Sequence, residues 1–233
     1  MKIVHPESLS ATVDALNEAF FYERSIPKTE ALRAAQFIAR RHGQAHAYAG
    51  TFALFDDERR NGIHAFTGER LHCAAARHII GQEACRALLL LNVQHPAVHG
   101  ALQSSAGRLQ ECVGPVRRDP AVRWGEYLGG TYCCGRCSVA LWRHLLAGGM
   151  DDAARRLAAG LRCLRAMRKG DGGWRVFPFW YTLSALVEMD GKAARQELRH
   201  AAPQCERALL RPGASPFGPR RREIARRALE AIE

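Results

Sequence analysis

Apolar positions along the chain recur at helical spacing. Leu9, Val13, Leu16 and Phe20 fall on one helix face, and Pro6 stands just ahead, where its missing N–H costs nothing. Pro27 opens the next segment, with "TEALRAAQFIARRHG" closed by Gly43. Thr67 is placed to cap "TGERLHCAAARHIIG", with Gly81 as a break; "QEACRALLLLN" and "PAVHGALQSSAGRLQECVG" then run to Gly114 and Pro115. Thr131 is placed to cap "YCCGRCSVALWRHLLAGG". Asp151 begins "DDAARRLAAGLRCLRAMRKG", which puts acid at the positive helix end and Arg and Lys at the other. "PFWYTLSALVEMDG", "KAARQELRHAAPQCERALL" and a last helix from about Arg221 to Ile232 complete the series. Continuous alternation of the strand kind is missing; "GTFALF" at 50–55 comes nearest and reads equally as helix.

The chain therefore reads as all-α, built from many short helices. Segments 155–189 and 108–146 resemble two copies of one unit: an Arg/Leu-rich helix, a loop holding Gly and Trp (Trp174, Trp124), then an aromatic-led apolar helix. A fainter copy runs from 32 to 80. Such repetition predicts stacked antiparallel helical hairpins, each burying the face its neighbour leaves open. Residues 1–212 are expected to form one helical-hairpin domain. "GASPFGPRR" marks a linker, so 213–233 reads as linker plus a C-terminal basic helix.

Residues 164–190, "LRAMRKGDGGWRVFPFWYTLSALVEMD", resemble a hairpin of the α/α-toroid superfamily, the terpenoid cyclases and protein prenyltransferases. In that family an outer helix ends in a D-G-G-W-like turn and an inner helix begins with aromatics. Gly172 and Gly173 permit the reversal, Trp174 can fill the seam between hairpins, and "FPFWYTLSAL" descends into the core. The resemblance covers about 27 residues well and 109–210 weakly, and implies an open α/α-toroid-like arc. The family's D-x-D-D acid segment is not found: "FDDERR" and "MDDAAR" have other flanks and fit turn or helix-start chemistry. The Asp, Cys and His zinc set of the prenyltransferases finds no match.

Composition narrows the class. Hydrophobic residues make up 47% of 233, enough for a core without disulfide staples. The N-terminus lacks the apolar run of a signal peptide, and "ALLLL" at 87–91 is too short for a membrane span. A soluble cytoplasmic protein with no membrane partner is expected, and with it eight reduced cysteines. The net charge of +11 comes almost wholly from 30 arginines against four lysines. Such a balance attracts nucleic acid, and Arg220, Arg221, Arg222, Arg226 and Arg227 would form the contact surface of a basic helical binder. Abundant Ala and Gly beside Arg also suit a GC-rich coding sequence, and many arginines lie on outer helix faces, as in "ARRLAAGLRCLRAMRKG".

"TYCCGRCSVALW" at 131–142 holds three cysteines within five residues. Cys134 and Cys137, three apart on a helix, share a face, and so do Cys133 and Cys137. Free N–H groups at a helix start lower a thiol's pKa. "CGRC" resembles a dithiol redox motif without the βαβ setting such motifs have. As a zinc site, Cys134 and Cys137 supply two ligands, and His72 and Cys73 are the candidates to complete the set. The structural alternative is that these cysteines are small packing residues. His42 and His46, and His95 and His99, are four apart, but Gly43 and Pro96 interrupt the pairs, so capping or surface roles are expected. No Ser-His-Asp order, G-x-S-x-G, H-E-x-x-H or phosphate-cradling loop occurs.

If hairpins stack, several side chains open inner helices at one level: Arg70 and His72, Tyr132 and Cys134, Trp180 and Tyr181. The expected function is a helical-repeat binding protein whose concave aromatic and polar face takes a small molecule or a protein partner. The alternatives are an enzyme using Cys134 and Cys137 through zinc or as a thiolate, and the basic nucleic-acid binder.

Overall fold

The structure, a computed structural model, describes residues 2–118, 127–210 and 215–233, with the side chain of Cys73 outside that set. Trp124, the loop tryptophan of the first supposed copy, lies outside the described residues, as does the start of the 213–221 linker. The chain is mostly helical. Ten α-helices are found among the described residues: α1 (Leu9–Phe21), α2 (Lys28–Ala39), α3 (Asp56–Asn61), α4 (Cys73–Leu91), α5 (Pro96–Val113), α6 (Gly135–Leu146), α7 (Ala153–Ala166), α8 (Phe179–Leu186), α9 (Lys192–Leu210) and α10 (Gly218–Glu230). A 3₁₀ turn covers Tyr48–Gly50, and β1 (Ile63–His64) pairs antiparallel with β2 (Arg70–Leu71), Ile63 opposite Leu71. No helix among the described residues is long and apolar enough to cross a membrane.

Two compact units are present. The first comprises Met1–Phe66, Arg70–Gly114 and Arg143–Asp151; the second comprises Thr67–Glu69, Pro115–Trp142 and Asp152–Glu233.

In the first unit α4 packs against α1, α2, α5 and the 3₁₀ turn. With several neighbours around it, this helix buries all of residues 79–88, the polar Gln82, Glu83 and Arg86 among them. Gly81 does not break α4. It is helical, and a side chain there would collide with the Thr51 hydroxyl, so the glycine permits close approach. Asn92, in the left-handed region at φ 48°, ends the helix. Thr67, expected to cap this segment, precedes β2, and α4 starts instead after His72. Of "GTFALF", Gly50 ends the 3₁₀ turn and the rest is neither strand nor helix: Phe52 bridges His42, and residues 51–54 are buried.

Helix α1 shows how a helix start is satisfied across the sequence. Ser8 accepts from the N–H of Ala11, and the Glu58 carboxylate on α3 accepts from the N–H groups of Leu9 and Ser10 at 3.2 and 2.7 Å. Negative charge at an α-helix N-terminus is favoured by the dipole. A polar cluster lies inside this unit. Asn17 donates to Glu83 at 3.0 Å, Arg86 donates to Asn17 at 2.7 Å, and Arg143 pairs with Glu83 at 2.9 Å, all in buried positions. His144 sits beside it, with its Nδ1 2.6 Å from Gln82 Oε1.

In the second unit α9 packs on α7, α8 and α10, and α8 packs on α10. The α7–α8 connection carries the D-G-G-W turn. Asp171 Oδ1 accepts from Gly173 N–H at 2.9 Å, and Gly172 takes φ +91°, a backbone that favours glycine. Trp174 is buried and donates to Glu197 on α9 at 3.0 Å, while its ring stacks on Phe179. Glu197 also holds Arg168 through two hydrogen bonds of 3.0 and 2.8 Å. Pro203 lies within α9 on its exposed face, where the carbonyl it leaves without a helical donor can meet water. The C-terminal helix α10 buries Ile224, Ala225 and Ala228.

Candidate functional site

The three cysteines of "TYCCGRC" lie where loop 127–134 enters α6, in the second unit. The loop is anchored at successive points. Thr131 donates through both its N–H and its hydroxyl to the Tyr127 carbonyl. Arg156 donates to Gly129 O at 3.0 Å, and Trp142 Nε1 donates to Gly130 O at 2.7 Å. Gly130 and Gly160 leave no room for a Cβ between loop and α7, which lets the two backbones touch. Arg156, expected on an outer helix face, is buried because the loop carbonyl needs a donor.

Beyond the anchor the chain turns sharply. Cys133 adopts φ 51°, a left-handed backbone that costs a residue other than glycine about 1 kcal/mol. The turn delays the helix: α6 begins at Gly135 and Cys134 occupies its capping position, so Thr131 does not cap it. Ser138, fully buried, holds the turn closed. Its hydroxyl accepts from Tyr132 N–H at 2.9 Å and lies 2.9 Å from the Cys134 carbonyl. From the other side, Val176 presses its carbonyl on Gly135, where any Cβ would collide. Val176 itself has φ 61°, rare for a β-branched residue. The next residue, Phe177, stacks on Trp142 at 5.4 Å.

This construction gathers three sulfurs. Cys134 Sγ and Cys137 Sγ are 3.6 Å apart, and Cys133 Sγ lies within 4.8 Å of Cys137 Sγ. Their environments differ. Cys137 is buried, Cys134 partly exposed and Cys133 exposed. A hydrogen bond from the Cys137 thiol, N–H groups of Cys137 and Arg136, and the Arg136 charge bring Cys134 down to about 5. The same interaction pushes Cys137 up strongly, because the thiol that donates must keep its proton, and burial adds to this. Burial, then the neighbouring Cys134 charge, raises Cys133. Cys134 is thus a thiolate at neutral pH, stabilised by a helix N-terminus.

The other predicted residues are distributed as follows. Tyr132 is buried beside the thiol turn, its N–H held by Ser138. Tyr181 is fully buried, its backbone N–H donating to Glu69 at 3.2 Å. Trp180 is partly exposed, with the Arg221 guanidinium 5.9 Å from its ring centroid. Arg70 and His72 belong to the first unit. Arg70, on β2, reaches toward the Asn61 carbonyl at 3.4 Å, and His72 is the extended residue just before α4, with no capping hydrogen bond from its side chain. Cys73 begins α4. His95 caps α5 through Nδ1, which accepts from Ala97 N–H at 3.2 Å. Of the basic residues on α10, Arg226 pairs with Glu223 and Glu230, Arg227 with Glu223, and Arg221 donates to the Thr67 carbonyl.

The sequence reading left Cys133 out of the ligand set and did not single out Ser138, Gly135 or Val176. The adjacent Cys133–Cys134 pair was the only signal; Ser138 acts through a local hydrogen bond with no distinctive motif, and Gly135 and Val176 through a contact between segments distant in sequence.

Comparison with known protein families, with curated proteins and with solved structures gives no significant match.

Proposed function

We propose that Cys133, Cys134 and Cys137 form a thiolate centre for a thiophilic divalent cation, zinc first, and that the protein functions through this metal. One observation carries the proposal: three sulfurs converge at one helix start, two of them 3.6 Å apart. Ligands at the Zn–S distance of about 2.3 Å sit about 3.8 Å from one another around a tetrahedral ion, so Cys134 and Cys137 need almost no movement. Cys133 closes the triangle, its Sγ lying within 4.8 Å of Cys137 Sγ. Three protein ligands leave a fourth position for a further ligand, water or substrate, the arrangement that metal-dependent chemistry uses. A cytoplasmic setting, where thiols stay reduced, is part of this reading.

At the level of fold, we infer that helices of the second unit stack as antiparallel hairpins in the manner of an α/α-toroid arc. Support comes from the Asp171–Trp174 turn and from Trp174, whose ring and N–H join the α7–α8 connection to α9.

A second reading, an aromatic seat for a ligand at the start of α8, is favoured by the partly exposed Trp180 ring beneath Arg221. Thermal-shift screening against a metabolite panel tests it. A hit whose shift persists in Trp180→Ala would remove Trp180 from the seat.

The metal reading is tested by metal analysis of protein purified under reduction and by cobalt substitution. The expected result is one equivalent of metal and intense sulfur-to-cobalt charge-transfer bands that weaken in Cys134→Ala. Protein without bound metal that stays spectrally silent with cobalt would overturn it.

A further inference from the structure

Metal ligation alone does not call for sulfurs of such unequal exposure. Cys134 is partly exposed at the start of α6; Cys137 lies behind it, buried and 3.6 Å away. A partly exposed thiol backed by a buried one a short movement away is the arrangement that disulfide exchange requires. The turn is held from both sides, by the Ser138 hydroxyl on one and by the Val176 carbonyl on the other, so the two sulfurs keep their spacing.

We propose that the Cys134–Cys137 pair carries out thiol–disulfide exchange with small disulfides, Cys134 attacking and Cys137 resolving. The Cys134 thiolate attacks one sulfur of a disulfide RSSR. The S–S bond breaks, RS⁻ leaves and takes a proton from solvent, and Cys134–S–S–R forms. Cys137 then gives its proton to solvent and attacks the Cys134 sulfur, expelling the second RS⁻. The net change is one Cys134–Cys137 disulfide and two RSH: the protein loses two electrons and RSSR gains them. The sulfurs close from 3.6 Å to about 2.05 Å. Sulfurs bonded to one another cannot both serve as thiolate ligands, so exchange also expels a metal held at this site. Exchange itself does not depend on the metal reading.

The test uses metal-free full-length protein, with the state of each cysteine read by peptide mass spectrometry. With glutathione disulfide, Cys137→Ser is expected to accumulate a mixed disulfide at Cys134, and the wild-type chain an internal Cys134–Cys137 bond. Circular dichroism confirms that the variant is folded. Absence of the mixed disulfide from folded Cys137→Ser, or of the internal bond from the wild-type chain, would overturn the inference. Exchange in a protein that binds no zinc sinks the metal reading and leaves this one standing. Zinc binding with no Cys134–Cys137 bond under glutathione disulfide does the reverse.

Discussion

The carbonyl of Val176 occupies the space that a side chain at residue 135 would need, so the thiol helix can begin where it does only because Gly135 has none. The left-handed Val176 aims that carbonyl, and Phe177 fastens the segment to Trp142. The sulfur cluster is therefore set by a contact between residues more than 40 positions apart.

Gly135→Ala should displace the Val176–Phe177 segment. The expected loss is about 1–3 kcal/mol, as for overpacking a tight contact. Denaturant unfolding measures it, and metal stoichiometry should fall in the same variant. Unchanged stability with full metal content would show that the contact is slack.

Metal affinity should rise with pH. Cys134 is already ionised at neutral pH, whereas Cys133 and Cys137 are held above the ordinary thiol value and must each lose a proton to bind. About two protons should leave per zinc at pH 7, and affinity should rise about 100-fold per pH unit. Calorimetry in buffers of different ionisation enthalpy counts the protons; a count near zero would contradict the assigned charges.

His144 should make the first unit acid-sensitive. Burial holds its pKa down to about 4, against a small opposing pull from Glu83. The unfolded chain takes up the proton near 6.5 and the folded chain does not, so this stability is complete above 6.5 and lost as pH falls through about 4. The loss approaches roughly 3 kcal/mol. Unfolding free energies at pH 7 and pH 4.5 should converge in His144→Gln relative to wild type. An equally steep decline in the variant would assign the acid sensitivity elsewhere.

Glu197→Ala should cost about 3 kcal/mol, the low end for breaking a buried ion pair, because Arg168 is partly solvated. Trp174 loses its acceptor in the same variant, so a change in tryptophan fluorescence should accompany the lower midpoint. An unaltered midpoint would mean that solvent replaces the carboxylate without penalty.

The basic helix α10 should contribute little to nucleic-acid binding, since Arg226 and Arg227 are tied to Glu223 and Arg221 to a backbone carbonyl. Arg220→Ala with Arg222→Ala is expected to leave DNA affinity and its salt dependence unchanged. A salt slope lower by about two would instead establish these residues as phosphate contacts.

Helical spacing in the sequence was enough to determine the class of structure and most helix positions, because the 3.6-residue repeat of Leu9, Val13, Leu16 or of the apolar run in α8 is a local property of the chain. The D-G-G-W turn and the richness of 131–137 in thiols were equally legible, being short and contiguous. Only the tertiary structure decided that Gly81 lies inside a continuous helix, that Cys133 turns left-handed and joins the sulfur cluster, and that α6 starts at Gly135. The physical reason is common to all three. Each depends on a contact, with the Thr51 hydroxyl, the Ser138 side chain or the Val176 carbonyl, that leaves room for the chain or holds it in place, and such contacts, near or remote in sequence, leave no periodic mark on it.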